Sequence, residues 1–124
     1  MIACDTSVLI EYLGGSPVPE AMRLDHELRS KNVAFPPVVL TEVLSDPNAG
    51  PGLVQSLSSI PMLGTSAGYW HRAGALRARL KKLRLRASLA DTLICQSCLD
   101  YDVPLLTRDG DFRHFARHAG LKLV

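Results

Sequence analysis

The chain opens with the segment Met1-Ile2-Ala3-Cys4-Asp5-Thr6-Ser7-Val8-Leu9-Ile10. Its apolar residues at 2–4 predict a short buried strand, and the polar residues at 5–7 predict a break into a helix that runs to about Leu13. Gly14-Gly15 then stops this helix. A strand that passes directly into a helix is typical of a parallel sheet covered by helices, so this segment indicates an α/β fold.

Helices and short apolar strands alternate along the rest of the chain. Further strands are predicted at 33–35, 60–63, 103–106 and 121–124, and further helices at 19–28, around Glu42, and at 66–83, 88–99 and 111–118. This alternation predicts a mainly parallel sheet with helices on both faces. No linker divides the chain, and 124 residues suit one core, so residues 1–124 are interpreted as a single domain.

Composition limits the class of protein. Hydrophobic residues make up 47% and charged residues 21% of the chain, as in ordinary globular domains. No apolar run approaches the roughly 20 residues of a membrane-spanning helix, and no secretory signal pattern is visible. The three cysteines are an odd number spread over apolar segments, which disfavours a disulfide framework. We therefore expect a soluble cytoplasmic protein.

Four acidic residues lie within or at the ends of apolar segments. They are Asp5, Glu42, Asp91 and Asp109. Two unit charges about 4 Å apart repel by roughly 4 kcal/mol at an effective dielectric near 20, so converging carboxylates would hold protons or share a cation. Asp5 and Asp109 each follow a predicted strand, and ligands of open parallel sheets gather at the carboxyl ends of the strands. The pattern favours a site for a hard divalent ion such as Mg²⁺.

Each acid also has an explanation that needs no ligand. Asp5 suits the N-cap of the first helix, and Glu42 suits an exposed helix face. Asp91 follows Ser88 by three residues, as in a capping box, although it shares a helix face with apolar residues. Asp109 precedes Gly110 and suits a turn. The functional interpretation depends on the four acids taken together.

The bases are concentrated in one segment. Seven lie between residues 72 and 86 with no acid among them, whereas the rest of the chain has seven bases and twelve acids. This segment is also the longest predicted helix, with an apolar stripe opposite the bases. The stripe consists of Trp70, Ala73, Leu76, Leu80 and Leu83. A basic helix beside a cluster of acids favours binding of a polyanion, and the alternative is a solvated face that keeps the protein soluble.

Four segments of the sequence together resemble the PIN-domain ribonucleases, especially the VapC toxins of prokaryotic toxin–antitoxin pairs. They are Met1–Ile10, Leu40-Thr41-Glu42-Val43, Ala87-Ser88-Leu89-Ala90-Asp91-Thr92-Leu93-Ile94 and Pro104-Leu105-Leu106-Thr107-Arg108-Asp109-Gly110-Asp111-Phe112. The resemblance extends over the whole chain and implies a three-layer α/β/α fold with a short sheet. It also implies a homodimer and a small antitoxin whose C-terminal segment covers the active site.

The resemblance further implies a divalent-metal-dependent endoribonuclease. The implied catalytic acids are Asp5, Glu42, Asp91 and Asp109. Of these, Asp5, Asp91 and Asp109 would bind Mg²⁺ or Mn²⁺, with Asp5 and Asp91 as the foremost ligands. Supporting residues would be Thr6, Ser7, Thr107 and Asp111, because hydroxyls beside ligating carboxylates orient them. The RNA backbone would contact Arg77, Arg79, Lys82 and Arg84.

Two alternatives remain open from the sequence. A phosphatase of the haloacid dehalogenase type also has an Asp after its first strand, but it needs a second Asp two residues later, where this chain has Ser7. The other alternative is a noncatalytic domain that binds RNA or protein.

Overall fold

The computed structural model describes the whole chain, Met1–Val124. The elements in chain order are β1 (Ala3–Cys4), α1 (Thr6–Leu13), α2 (Pro19–Arg29), α3 (Pro37–Leu44), α4 (Pro51–Ser58), α5 (Tyr69–Lys82), α6 (Leu89–Tyr101), β2 (Leu105–Leu106) and α7 (Phe112–Ala119). The opening strand and helix are formed as predicted. None of the helices combines the length and the apolar character that a membrane span requires.

The sheet is short and parallel. Strands β1 and β2 pair with Ala3 opposite Leu105 and Cys4 opposite Leu106. Single parallel bridges continue the sheet on both sides. They join Ile2 to Val33, Phe35 to Met62, and Leu105 to Leu123. Across the sheet the chain segments therefore lie in the order 62, 33–35, 2–4, 105–106, 123.

Three of the predicted strands are reduced to isolated bridges. Prolines explain two of these cases, because proline cannot donate to a strand ladder. Pro36-Pro37 directly follows the bridge at Phe35 and begins α3, and Pro61 precedes the bridge at Met62. For the third, the C-terminal segment, Val124 N–H still donates to the Leu105 carbonyl at 2.9 Å, so a sheet contact is kept there.

Helices cover both faces of the sheet. The residues of β1 and β2 are all buried, and 24 buried residues form one continuous core that extends from Ile2 to Leu121. Around this core α1 packs against α2 and α3, while α6 packs against α3, α5 and α7. The fold is a three-layer α/β/α arrangement around a short parallel sheet, which confirms the predicted class.

The apolar stripe predicted for the longest helix is partly wrong. Helix α5 buries Tyr69, Ala73, Leu76 and Leu80, whereas Trp70 is 65% exposed and Leu83 is 51% exposed. Tyr69 replaces Trp70 on the inner face because its hydroxyl group has a buried acceptor, donating to the Leu93 carbonyl of α6 at 2.8 Å. Leu83 lies beyond the last turn of the helix, as its C-cap.

Candidate active site

The topology of the sheet brings two chain segments together at one edge. Strands β1 and β2 are parallel neighbours, so the residues that follow them, Asp5 and Thr107, emerge on the same side. The chain also switches direction across the sheet between these two strands. From β1 it continues toward residues 33–35 and 62 on one side, and from β2 it continues toward residue 123 on the other. Ligand sites of open α/β sheets lie at this kind of switch point, outside the carboxyl ends of the strands.

Asp5 is the buried centre of this edge. It is 3% exposed and caps α1, accepting a hydrogen bond from Val8 N–H at 3.1 Å. The hydroxyl of Ser7 lies 2.7 Å from one carboxylate oxygen and 2.9 Å from the other, and the Thr107 hydroxyl donates to Asp5 Oδ2 at 2.6 Å. Burial raises the pKa of Asp5, the three donors oppose that rise, and the charge of Asp109 adds to it.

The loop after β2 is fixed by hydrogen bonds from its own backbone. Asp109 N–H donates to the Thr107 hydroxyl at 2.9 Å, and Asp111 N–H donates to Asp109 Oδ1 at 2.9 Å. Arg108 N–H lies 3.4 Å from the Ser7 hydroxyl oxygen, which it reaches as a donor. These contacts connect the acids of the loop to Asp5 through Thr107 and Ser7.

Three acids converge beside Asp5. Asp91, Asp109 and Asp111 each contribute a carboxylate oxygen, and these three oxygens all lie within 4.8 Å of one another. We call these three residues the acid triad. Burial and the charges of Asp109, Asp5 and Asp111 raise the pKa of Asp91 from 3.8 to about 6, against a lowering influence from Ser88. The proximity of Asp5 to the triad is visible in this effect on Asp91.

Asp91 is positioned by the start of α6. Ser88 is the N-cap of this helix, and its hydroxyl accepts a hydrogen bond from Asp91 N–H at 3.1 Å. The capping pattern read from the sequence is therefore present, but it uses the backbone of Asp91. The carboxylate of Asp91 stays available to the triad.

Glu42 lies at the rim. It is exposed on α3 and accepts a hydrogen bond of 2.7 Å from the Thr6 hydroxyl, so it is joined to the site through the neighbour of Asp5. It does not belong to the acid triad. Asp111, which the sequence assigned a supporting role, does belong to it.

The residues of the site fit a divalent metal ion. Every potential ligand atom of the triad is a carboxylate oxygen, the ligand type that Mg²⁺ and Mn²⁺ prefer. The raised pKa of Asp91 means that negative charge is unfavourable there without a counterion. A divalent cation would remove both the repulsion among the acids and the cost of burying them.

The predicted RNA-binding bases differ in how they are bonded. Arg77 Nε donates to the Ala87 carbonyl at 2.9 Å, and Arg79 Nη2 donates to the His118 carbonyl at 3.0 Å. Both side chains therefore also stabilise the fold. The side chains of Lys82 and Arg84 are exposed and make no hydrogen bond or ion pair within the chain.

Sequence reasoning missed one cation at the site. Arg86 Nη1 lies 3.8 Å from Asp111 Oδ2. Its place in the basic segment, two residues before the N-cap Ser88, was the available signal, but that spacing does not reveal which acid the side chain reaches. The guanidinium of Arg108 instead contacts Glu11 at 3.8 Å and Glu20 at 3.7 Å, acids outside the site.

Comparisons with known proteins agree with this geometry. The sequence matches the family model of the PIN domain over residues 2–118. The structure is similar to a chain in the crystal structure of VapBC2 from Rickettsia felis bound to a DNA fragment from their promoter, with a TM-score of 0.73 and 22% sequence identity. That similarity covers 100% of this chain and 98% of the other. No curated protein matches the sequence.

Proposed function

Because this chain belongs to the PIN-domain family, we propose that residues 1–124 form a single nuclease domain that hydrolyses RNA phosphodiester bonds with the help of a divalent metal ion. The observation that carries this proposal is the convergence of the acid triad beside the buried Asp5. We further propose that the protein is a cytoplasmic toxin of the VapC type. The fold shared with VapBC2 from Rickettsia felis supports that part.

The acids have different roles in the proposed reaction. Asp91, Asp109 and Asp111 would hold Mg²⁺ or Mn²⁺, which supplies a polarised phosphodiester, a bound water of lowered pKa and a counter-charge for the leaving oxygen. Asp5 is not one of these three acids, but its charge acts on Asp91 and its hydrogen bond with Thr107 fixes the loop. Glu42, held by Thr6, completes the catalytic acids at the rim.

Water is the nucleophile in this proposal. Ser7 and Thr107 donate their hydroxyl protons to Asp5, so both groups orient a carboxylate. The three cysteines are buried, and burial raises the pKa of each thiol, which makes the reactive thiolate scarce. Neither these two hydroxyls nor the thiols are therefore suited to attack the phosphorus.

RNA is held by the basic segment. Lys82 and Arg84, which have no partner in the protein, contact phosphates most directly, and Arg77 and Arg79 add positive charge from positions that also brace the fold. Contacts of this kind give affinity and salt dependence with little choice of sequence.

A groove beside Glu42 supports the proposed antitoxin partner. The groove has a volume of about 340 Å³ and lies between α1, α3 and α4. Ile10, Leu13 and Leu53 supply apolar surface, and the carboxylates of Glu42 and Asp46 lie beside them. A basic amphipathic segment of an antitoxin matches this combination of apolar and acidic groups, and it would end close to the catalytic acids.

The proposed homodimer is supported by a second surface. Trp70 is 65% exposed and Leu89 is 59% exposed, and both line the groove of about 440 Å³ between α5 and α6. Large apolar side chains in one exposed groove are typical of protein contacts. Sedimentation velocity tests this part: a dimer that is lost in Trp70→Ala is expected, and a monomeric native protein would contradict it.

The decisive experiment is an RNA cleavage assay with the purified protein. A mixed pool of structured and single-stranded RNAs is incubated with Mg²⁺, Mn²⁺ or EDTA, and the cleaved ends are mapped. Cleavage with either ion and none with EDTA is expected, and Asp91→Asn should abolish it. RNA binding that does not need metal, with no cleavage, would indicate the noncatalytic alternative.

A further inference from the structure

The acid triad has a single cationic neighbour. Of the 14 lysine and arginine residues, only Arg86 brings its charged group within 4.0 Å of an acid of the site, with Nη1 3.8 Å from Asp111 Oδ2. We propose that Arg86 is a catalytic residue that binds the phosphate of the RNA at the cleavage point, and that it neutralises Asp111 when metal and RNA are absent. This inference rests on the proposed nuclease function.

The backbone that carries Arg86 is fixed on both sides. Leu85 N–H donates to the Leu80 carbonyl at 3.1 Å, and the Ala87 carbonyl accepts the hydrogen bond from Arg77 Nε at 2.9 Å. Ala87 is only 8% exposed, and Ser88 directly after it caps α6. The backbone at Arg86 is therefore held just before α6, the helix whose first turn contains Asp91.

The guanidinium of Arg86, in contrast, has no hydrogen-bond partner in the chain. Its side chain is 80% exposed, it makes no hydrogen bond in the chain, and 3.8 Å is longer than a hydrogen bond to Asp111 would be. Exposed ion pairs of this type contribute little to stability. The contact is too weak to be a structural brace, so the side chain is free to exchange Asp111 for another anion.

Arg72 shows what a structural arginine looks like in this protein. Its Nη2 lies 2.6 Å from Asp100 Oδ2, its Nε lies 3.2 Å from the other oxygen of Asp100, and its Nη1 donates to the Ala67 carbonyl at 2.8 Å. Each nitrogen of the Arg72 guanidinium therefore has a hydrogen-bond partner. Arg86 has none of these bonds, although it lies beside an acid of the triad.

The charge balance at the site gives Arg86 two opposite effects. A guanidinium near the triad offsets part of its negative charge and therefore disfavours a divalent cation there. The same planar group matches a phosphate with two parallel hydrogen bonds, and it favours the negative charge that builds up during phosphodiester hydrolysis. Removing the charge of Arg86 should therefore strengthen metal binding and weaken cleavage.

The test compares Arg86→Gln and Arg86→Lys with the native protein. Titration calorimetry with Mn²⁺ on RNA-free protein should give a dissociation constant for Arg86→Gln that is lower by about threefold, within the range of an exposed charge pair. Cleavage of a mixed pool of end-labelled single-stranded RNAs at saturating Mn²⁺ should lose kcat on the order of a hundredfold in Arg86→Gln. Arg86→Lys should retain the native Mn²⁺ affinity and recover part of kcat.

Arg29→Gln is the matched control. Arg29 is also 80% exposed and is also paired with one carboxylate, Asp25, on α2. It should change neither measurement. If Arg86→Gln leaves both measurements unchanged, or weakens Mn²⁺ binding and cleavage together, the inference is overturned. A native protein that binds no Mn²⁺ and cleaves no RNA would instead overturn the proposed function.

Discussion

Thr107 donates a hydrogen bond of 2.6 Å to Asp5, which lies 102 positions earlier in the sequence. The same hydroxyl oxygen accepts a hydrogen bond from Asp109 N–H at 2.9 Å. One side chain thus joins the ends of the two central strands and fixes the loop that presents two acids of the triad. The Ser7 hydroxyl adds contacts to both oxygens of Asp5 and to Arg108 N–H, so two hydroxyl groups hold this loop against Asp5.

Replacing this hydroxyl with a methyl group should loosen the site. In Thr107→Val the shape is kept, but Asp5 loses a donor and Asp109 N–H loses its acceptor. We expect the free energy of unfolding to fall by about 1–3 kcal/mol and the Mn²⁺ affinity to fall as well. Urea denaturation and calorimetry measure the two quantities. Thr65→Val, at an exposed hydroxyl, is the control, and equal stability of the two variants would refute the role of Thr107.

The stability of the metal-free protein should depend on pH through Asp91. Its folded-state pKa of about 6 lies above the ordinary 3.8, so the folded protein holds this proton more tightly than the unfolded chain does. The free energy of unfolding in EDTA should therefore fall as pH rises from about 4 to about 6. Thermal unfolding at several pH values shows the slope.

Asp91→Asn should flatten that slope and raise stability above pH 6, because the unfavourable charge is gone. Asp102→Asn removes an exposed carboxylate outside the site, paired with Lys122, and should leave the slope as it is. A slope that survives in Asp91→Asn would assign the effect to other acids.

Substitutions in the acid triad should lower the Mn²⁺ affinity far more than a substitution at Glu42. Asp91→Asn and Asp111→Asn each remove a ligand oxygen and should weaken Mn²⁺ binding on the order of tenfold or more. Glu42→Gln should change Mn²⁺ affinity much less, because Glu42 is outside the triad, while cleavage still falls. Titration calorimetry and cleavage rates are measured side by side. A large loss of Mn²⁺ affinity in Glu42→Gln would move that residue into the ligand set.

The salt dependence of RNA binding should identify the phosphate contacts. Lys82→Gln and Arg84→Gln should each reduce the slope of log affinity against log salt by about 1, with little effect on stability. Arg77→Gln should also lower stability, because the Ala87 carbonyl loses its donor. Fluorescence anisotropy in EDTA gives the slopes, with Lys122→Gln as the control outside the basic segment. Unchanged slopes would leave these bases as a solubilising surface.

The order of the elements and the class of fold follow from local pattern. The break from apolar residues to Asp5-Thr6-Ser7 fixes the first strand and helix, because both the burial of β1 and the capping of α1 depend on adjacent residues. Local pattern also overestimates the strands, since it registers apolar residues but not the loss of pairing at Pro36-Pro37 and Pro61.

The site itself is less accessible to such reasoning. The resemblance implied only a supporting role for Asp111, yet its side chain makes no capping hydrogen bond to α7 and joins the triad. The contacts of Thr107 with Asp5 and of Arg86 with Asp111 depend on strand order and side-chain direction. Neither is encoded in spacing along the chain.

The pairing of β1 with β2 also determines when during synthesis the acidic centre can form. The acidic centre needs Asp5 from the first strand and the loop after Leu106, so no truncated nascent chain that lacks this loop contains it. Pairing between segments that are far apart in sequence is also slower than the formation of local contacts. The proposed nuclease would therefore lack its acidic centre until the loop after Leu106 has been synthesised.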